Sequence, residues 1–163
     1  MQTSMPRILF ISGSDANWLW LSDAVGDRFM LVRESGTFSE ITKRVGLVSP
    51  SMAVVDYSPH VGLDASLIVK ELRELAPDLP VVAMGSKDST EDVVNALRSG
   101  VKDFLSLDSN AGEVTKILTS VVEKAPQPTN ERKGYALVIL GGRQGVGSTT
   151  LAVNLAVQLA KQN

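Results

Sequence analysis

The stretch Gly141 to Thr150, GGRQGVGSTT, has residue types and spacing suited to holding phosphate. It follows an apolar run, Tyr135 to Leu140, and leads into a helical pattern from Leu151 to Lys161. A glycine-rich turn between strand and helix can converge backbone N–H groups on phosphate oxygens, and the helix N-terminus adds partial positive charge. Gly142 and Gly147 carry the spacing of the G-x-x-x-x-G-K-[ST] motif, and Thr149 supplies the hydroxyl that would ligate Mg²⁺. The lysine position holds Ser148. A charged hydrogen bond of about 1.5–3 kcal/mol is lost with that lysine, roughly a 10- to 150-fold loss in nucleotide affinity. Arg143 can return some of the charge. The expectation for this chain is a turn without bound nucleotide, because groups for Mg²⁺ and base come from later strands.

A second candidate is Asp56, which closes the apolar run Met52 to Val55. The surrounding pattern says what positions it. Apolar runs at Ile8–Ile11, Phe29–Val32, Met52–Val55, Val81–Met84 and Phe104–Leu107 alternate with helix-period segments. Asp15 is expected to cap the first helix, which carries Trp18, Leu19, Leu21 and Val25 and ends at Gly26. Trp18 is expected to pack and Trp20 to be exposed. Thr37 and Glu40 have capping-box spacing before a second helix, with Gly46 as its stop. Leu67, Ile68, Leu72 and Leu75 mark a third helix, closed by Pro77. Asp88 or Ser89 caps a fourth, with Val93, Val94 and Leu97 before Gly100. Val114, Ile117, Leu118, Val121 and Val122 mark a fifth.

Five β-α units in a row imply an α/β fold, a doubly wound five-stranded parallel sheet with helices on both faces. Runs apolar at successive positions read as strands buried on both sides. Residues 6–124 form this first domain. Residues 125–134, polar and with two prolines, read as a linker, and 135–163 as the first strand, phosphate loop and helix of a further domain. Sites in open parallel sheets lie outside the carboxyl ends of the strands, where Asp56 falls.

Composition narrows the chemistry. The formal charge of −2 argues against a broad nucleic-acid surface. There is no cysteine, and His60 is the single histidine, which excludes thiolate and histidine-rich metal sites. Neither a signal peptide nor a run long enough to span a membrane is seen, so a cytoplasmic protein without membrane insertion is expected. His60 reads as an exposed loop residue.

Over residues 6–124 the sequence resembles response-regulator receiver domains, a flavodoxin-like fold. The matching pieces are VVDYS around Asp56, DLPVVAMGS from Asp78 to Ser86, and ALRSGVKDFLSLD from Ala96 to Asp108. The resemblance implies that Asp56 stands at the phosphoacceptor position and Phe104 at that of the aromatic that senses the switch. It also implies an acidic pair for Mg²⁺ at Ser12 and Gly13, a Thr or Ser at Gly85, and a lysine at Leu107; none of these is present. A phosphoryl group adds about −1.5 to −2 charge, and one aspartate is a poor Mg²⁺ cage. The expectation is therefore a solvated Asp56 at a strand end, capping the loop that follows, with no catalysis. A phosphorylatable receiver in a two-component phosphorelay is the alternative.

The loop from Gly142 through Arg143, Gly145, Gly147, Ser148 and Thr149, followed by LAVNLAVQLA, is similar to the deviant Walker A motif of MinD/ParA ATPases. Arg143 aligns with their signature lysine. A receiver-like domain, a short linker and this loop together resemble the CpaE/TadZ family of pilus-assembly proteins. That resemblance implies a localisation or assembly module of Flp/Tad-type pilus secretion, recruited to the cell pole or the inner-membrane machinery. Its implied partners are other pilus-assembly proteins and a second copy of itself. ATP and Mg²⁺ are implied only for a parent chain that continues beyond Asn163.

Overall fold

The computed structural model describes residues 5–58, 64–125 and 148–161. The chain divides into two compact units, Met1–Gln127 and Pro128–Asn163. In the first, five strands alternate with five helices: β1 (Arg7–Ile11), α1 (Asp15–Val25), β2 (Met30–Glu34), α2 (Phe38–Val48), β3 (Met52–Asp56), α3 (Ala65–Leu75), β4 (Val81–Gly85), α4 (Thr90–Ser99), β5 (Asp103–Ser106) and α5 (Ala111–Lys124). The strands are parallel, in the order β2-β1-β3-β4-β5. That is the flavodoxin-like doubly wound order, with its switch point between β1 and β3.

Alternation along each strand sends neighbours to opposite faces of the sheet. Ile8, Phe10, Met52, Val54, Val82, Met84 and Leu105 join Leu21 and Val25 of α1 and Val114 and Leu118 of α5. Leu9, Ile11, Ala53, Val55, Val81 and Ala83 join Ile41 of α2, Ile68, Val69 and Leu72 of α3, and Ala96 of α4. The central strands are buried on both sides, as apolar runs require. β2 lies at an edge and is only half-buried.

Several local expectations are corrected. Ser14, not Asp15, caps α1, its Oγ accepting from the N–H of Asn17. At α4 the cap is Ser89, one of the two residues expected there, accepting from the Asp92 N–H in the same way. Gly46 does not stop α2; the helix runs to Val48, and Ser49 takes the left-handed conformation at φ 47°. Trp18 and Trp20 are both half-buried against the first core cluster, flanking the stripe of Leu21 and Val25. Leu67, Leu75 and Leu97 are exposed rather than buried; the helices turn Val69 and Ala96 inward instead.

In the second unit, α6 (Ser148–Lys161) is described, starting where the glycine-rich loop ends. Gly142, Arg143, Gly145 and Gly147, the strand expected before them, the linker beyond Ala125 and His60 lie outside the described residues. Among the described residues no helix is long and apolar enough to cross a membrane.

Candidate functional site around Asp56

Asp56 ends β3 with its side chain turned into the fold, and only 2% of the residue is exposed. A buried carboxylate must be hydrogen-bonded to be tolerated. Three segments supply the donors. Ser12, the first residue after β1, donates its hydroxyl to Oδ2 at 2.6 Å. Asn17, in the first turn of α1, donates Nδ2 to the same oxygen at 2.7 Å. Two residues on, the Ser58 N–H donates to Oδ1 at 2.9 Å. The expectation of a solvated Asp56 is therefore wrong, although its role in capping the following loop is present through Ser58.

The donors are themselves held. Ser12 is fully buried, its N–H bonded to the Glu34 carbonyl, and its Oγ accepts the Ser14 N–H at 2.9 Å. Asn17 also reaches Ser58 Oγ at 3.2 Å. Arg33 of β2 pins the loop from outside: Nε donates to the Ser12 carbonyl at 3.3 Å, and the guanidinium pairs with Asp15 at 2.5 Å. Asp15, the nearest acidic residue in sequence, is thus committed to Arg33 and well exposed. Among the described residues no cluster of three or more His, Cys, Asp or Glu side chains is placed to hold a metal.

The other supporting positions are filled differently. Gly85 closes β4 beneath the ring of Phe104: a Cβ at Gly85 would stand 3.3 Å from the ring tip and 3.7 Å from Tyr57 Cβ. A Thr or Ser side chain there would press on the tip of the Phe104 ring. Tyr57 is buried, and among the described residues its hydroxyl has no hydrogen-bond partner. Leu107 follows β5, its N–H bonded to the Gly85 carbonyl, and its apolar side chain puts no cation at that position. Asp56, Ser12, Gly85 and Leu107 fall at the carboxyl end of the sheet, as their motifs place them, while Phe104 stands earlier in β5, opposite Ala83, and reaches Gly85 with its ring tip. Asn17 was missed by sequence reasoning; its only signal was a polar residue one turn into a helix beside the site.

No model of a protein family matches the chain. Over 81 residues it is 36% identical to the photosynthetic apparatus regulatory protein RegA of Rhodovulum sulfidophilum, covering 48% of this chain and 43% of that protein. The chain matches less than half the length of its curated relatives. A CheY-like protein (tadZ) from Pseudomonas aeruginosa superposes with a TM-score of 0.64 at 19% identity, over 71% of this chain and 98% of that one. A putative pilus assembly-related protein from Burkholderia pseudomallei does so with a TM-score of 0.62 at 24% identity, over 76% and 93%. With the strand order and the position of Asp56, these likenesses establish that the first unit has the CheY-like receiver fold.

Proposed function

We propose that the first unit is a receiver-type docking module that works without a phosphorylation cycle. The observation that carries this is the closure of the Asp56 carboxylate by Ser12, Asn17 and Ser58. Both oxygens are engaged by the protein's own donors where an acceptor would present one to an incoming phosphorus. The donors are neutral, so they offer no charge to offset a phosphoryl group and no carboxylate to share a Mg²⁺ ion.

The setting we propose is Flp/Tad-type pilus assembly, in the manner of CpaE/TadZ proteins, with other assembly proteins as partners. Similarity to the tadZ protein and to the pilus assembly-related protein supports that setting. The residues from 135 onward then belong to a MinD/ParA-like domain, in which Gly142 to Thr149 would face nucleotide. ATP with Mg²⁺ should leave the melting temperature unchanged, since Ser148 stands where the phosphate-binding lysine would and stabilisation follows affinity.

A second reading, a phosphorylatable receiver, is favoured by Asp56 ending β3 and by the similarity to a regulatory protein. Beryllofluoride with Mg²⁺ separates the two. The docking reading expects amide spectra that do not change around Asp56, Gly85 and Phe104. Saturable shifts at those amides would favour the phosphorelay.

A further inference from the structure

We infer that the groove between α3 and α4 docks an acidic, amphipathic protein segment. The groove is open, has a volume of about 780 Å³, and is lined at helical spacing from both sides. Leu67, Lys70, Arg73 and Glu74 face it from α3, and Arg98 and Ser99 from α4. It lies away from the Asp56 network, none of whose members lines it.

Its walls are fixed. Arg73 crosses from α3 to donate to the Ser99 carbonyl at 3.1 Å, at the negative end of the α4 dipole. The guanidinium lies over Gly100, which has φ +82°, and any Cβ at residue 100 would collide with it. Gly100 thus serves both the left-handed end of α4 and the close approach of Arg73.

The charge in this groove is unbalanced. Among the described residues three cations, Lys70, Arg73 and Arg98, face two carboxylates, Asp64 and Glu74. Asp64 is engaged as the cap of α3, accepting the Leu67 N–H at 3.1 Å. Among the described residues none of the three cations is ion-paired; the pairs present are Arg33–Asp15 and Arg44–Glu34, elsewhere on the fold. Beside the cations, Leu67 leaves half its surface in water. Unpaired cations rimming an exposed leucine match a helix or extended segment that brings an apolar anchor between carboxylates. Complementary charge would speed its approach and fix its register.

This inference rests on the docking reading and names its face. The probe is a blocked, fluorescent peptide with leucines at helical spacing and glutamates between them, titrated into the full chain. Expected are amide shifts on α3 and α4, weakening as salt rises, and at least about tenfold weaker binding to Lys70→Glu/Arg98→Glu. Leu67→Ser should weaken binding at unchanged salt dependence. Unchanged melting curves establish that the variants fold. The inference is overturned by no binding, by equal binding of the same peptide with lysines for glutamates, or by shifts on another face. It is also overturned if the groove variants abolish self-association of the chain, since the occupant is then a second copy. Phosphate uptake at Asp56 in a parallel acetyl phosphate reaction would sink the docking reading while leaving the peptide result to decide the groove.

Discussion

Ser12 and Asp56, separated by 44 positions, meet at 2.6 Å between hydroxyl and carboxylate. The bond ties the end of β1 to the end of β3 across the switch point of the sheet, with both residues shut from water. A carboxylate held by neutral donors in that position acts as a fastener for the loops around it.

The fastener should be measurable. In Asp56→Asn, the amide cannot accept on both sides: its NH₂ must face either the Ser58 N–H or the Ser12 and Asn17 donors. Leaving buried donors unpaired costs about 1–3 kcal/mol. Urea denaturation should read that loss for Asp56→Asn and a smaller one for Ser12→Ala. Unchanged stability in both would mean that the network adds nothing.

Ser12→Asp should create a dependence on divalent cations. The new carboxylate would stand against Asp56, and like charges at that separation disfavour joint ionisation. Melting temperature should fall in chelator and recover in part with millimolar Mg²⁺, which shares carboxylates readily. The unsubstituted chain should melt alike in both. A variant indifferent to Mg²⁺ would contradict this account of the site.

Gly85 and Phe104 make a different test. Gly85→Thr must push aside the tip of the Phe104 ring, and overpacking costs typically 1–3 kcal/mol. The double variant Gly85→Thr/Phe104→Ala should lose less than the sum of the two single losses, since each change relieves the other. Strict additivity in denaturation would show that the two positions do not compete for space.

Glu40 gives a pH signature at α2. Its carboxylate accepts from the Thr37 N–H at 2.6 Å and the Thr37 hydroxyl at 2.9 Å. The backbone bond first, and then the hydroxyl, hold its pKa below the ordinary 4.5. The stabilisation from a carboxyl depressed in the folded state is complete above the unfolded value and is lost as pH falls through the folded one. Carboxyl carbon NMR should give Glu40 a midpoint below 4.5, returning toward it in Thr37→Ala.

Much of the fold was legible because each signal was local. Apolar runs of four residues marked the strands, and Gly26 and Gly100 marked helix ends. Gly46 misled because a glycine within a helix costs only about 1 kcal/mol, and α2 runs on through it to Val48. The position of Asp56 was legible for the same local reason, as the residue closing an apolar run. Its burial was not, because the compensating donors arrive from residues 12 and 17, far away in sequence. No periodicity reports such a meeting. Nor did the pattern show that Gly85 is a seat for Phe104, since an absent side chain leaves no trace of what fills its space.

The central claim is that Asp56 is closed to phosphorus. The most direct test incubates the full chain with acetyl phosphate and Mg²⁺ and follows intact mass, with Asp56→Ala alongside. The account predicts no phosphate adduct on either protein. Stoichiometric phosphate on the unsubstituted chain, absent from Asp56→Ala, would contradict it.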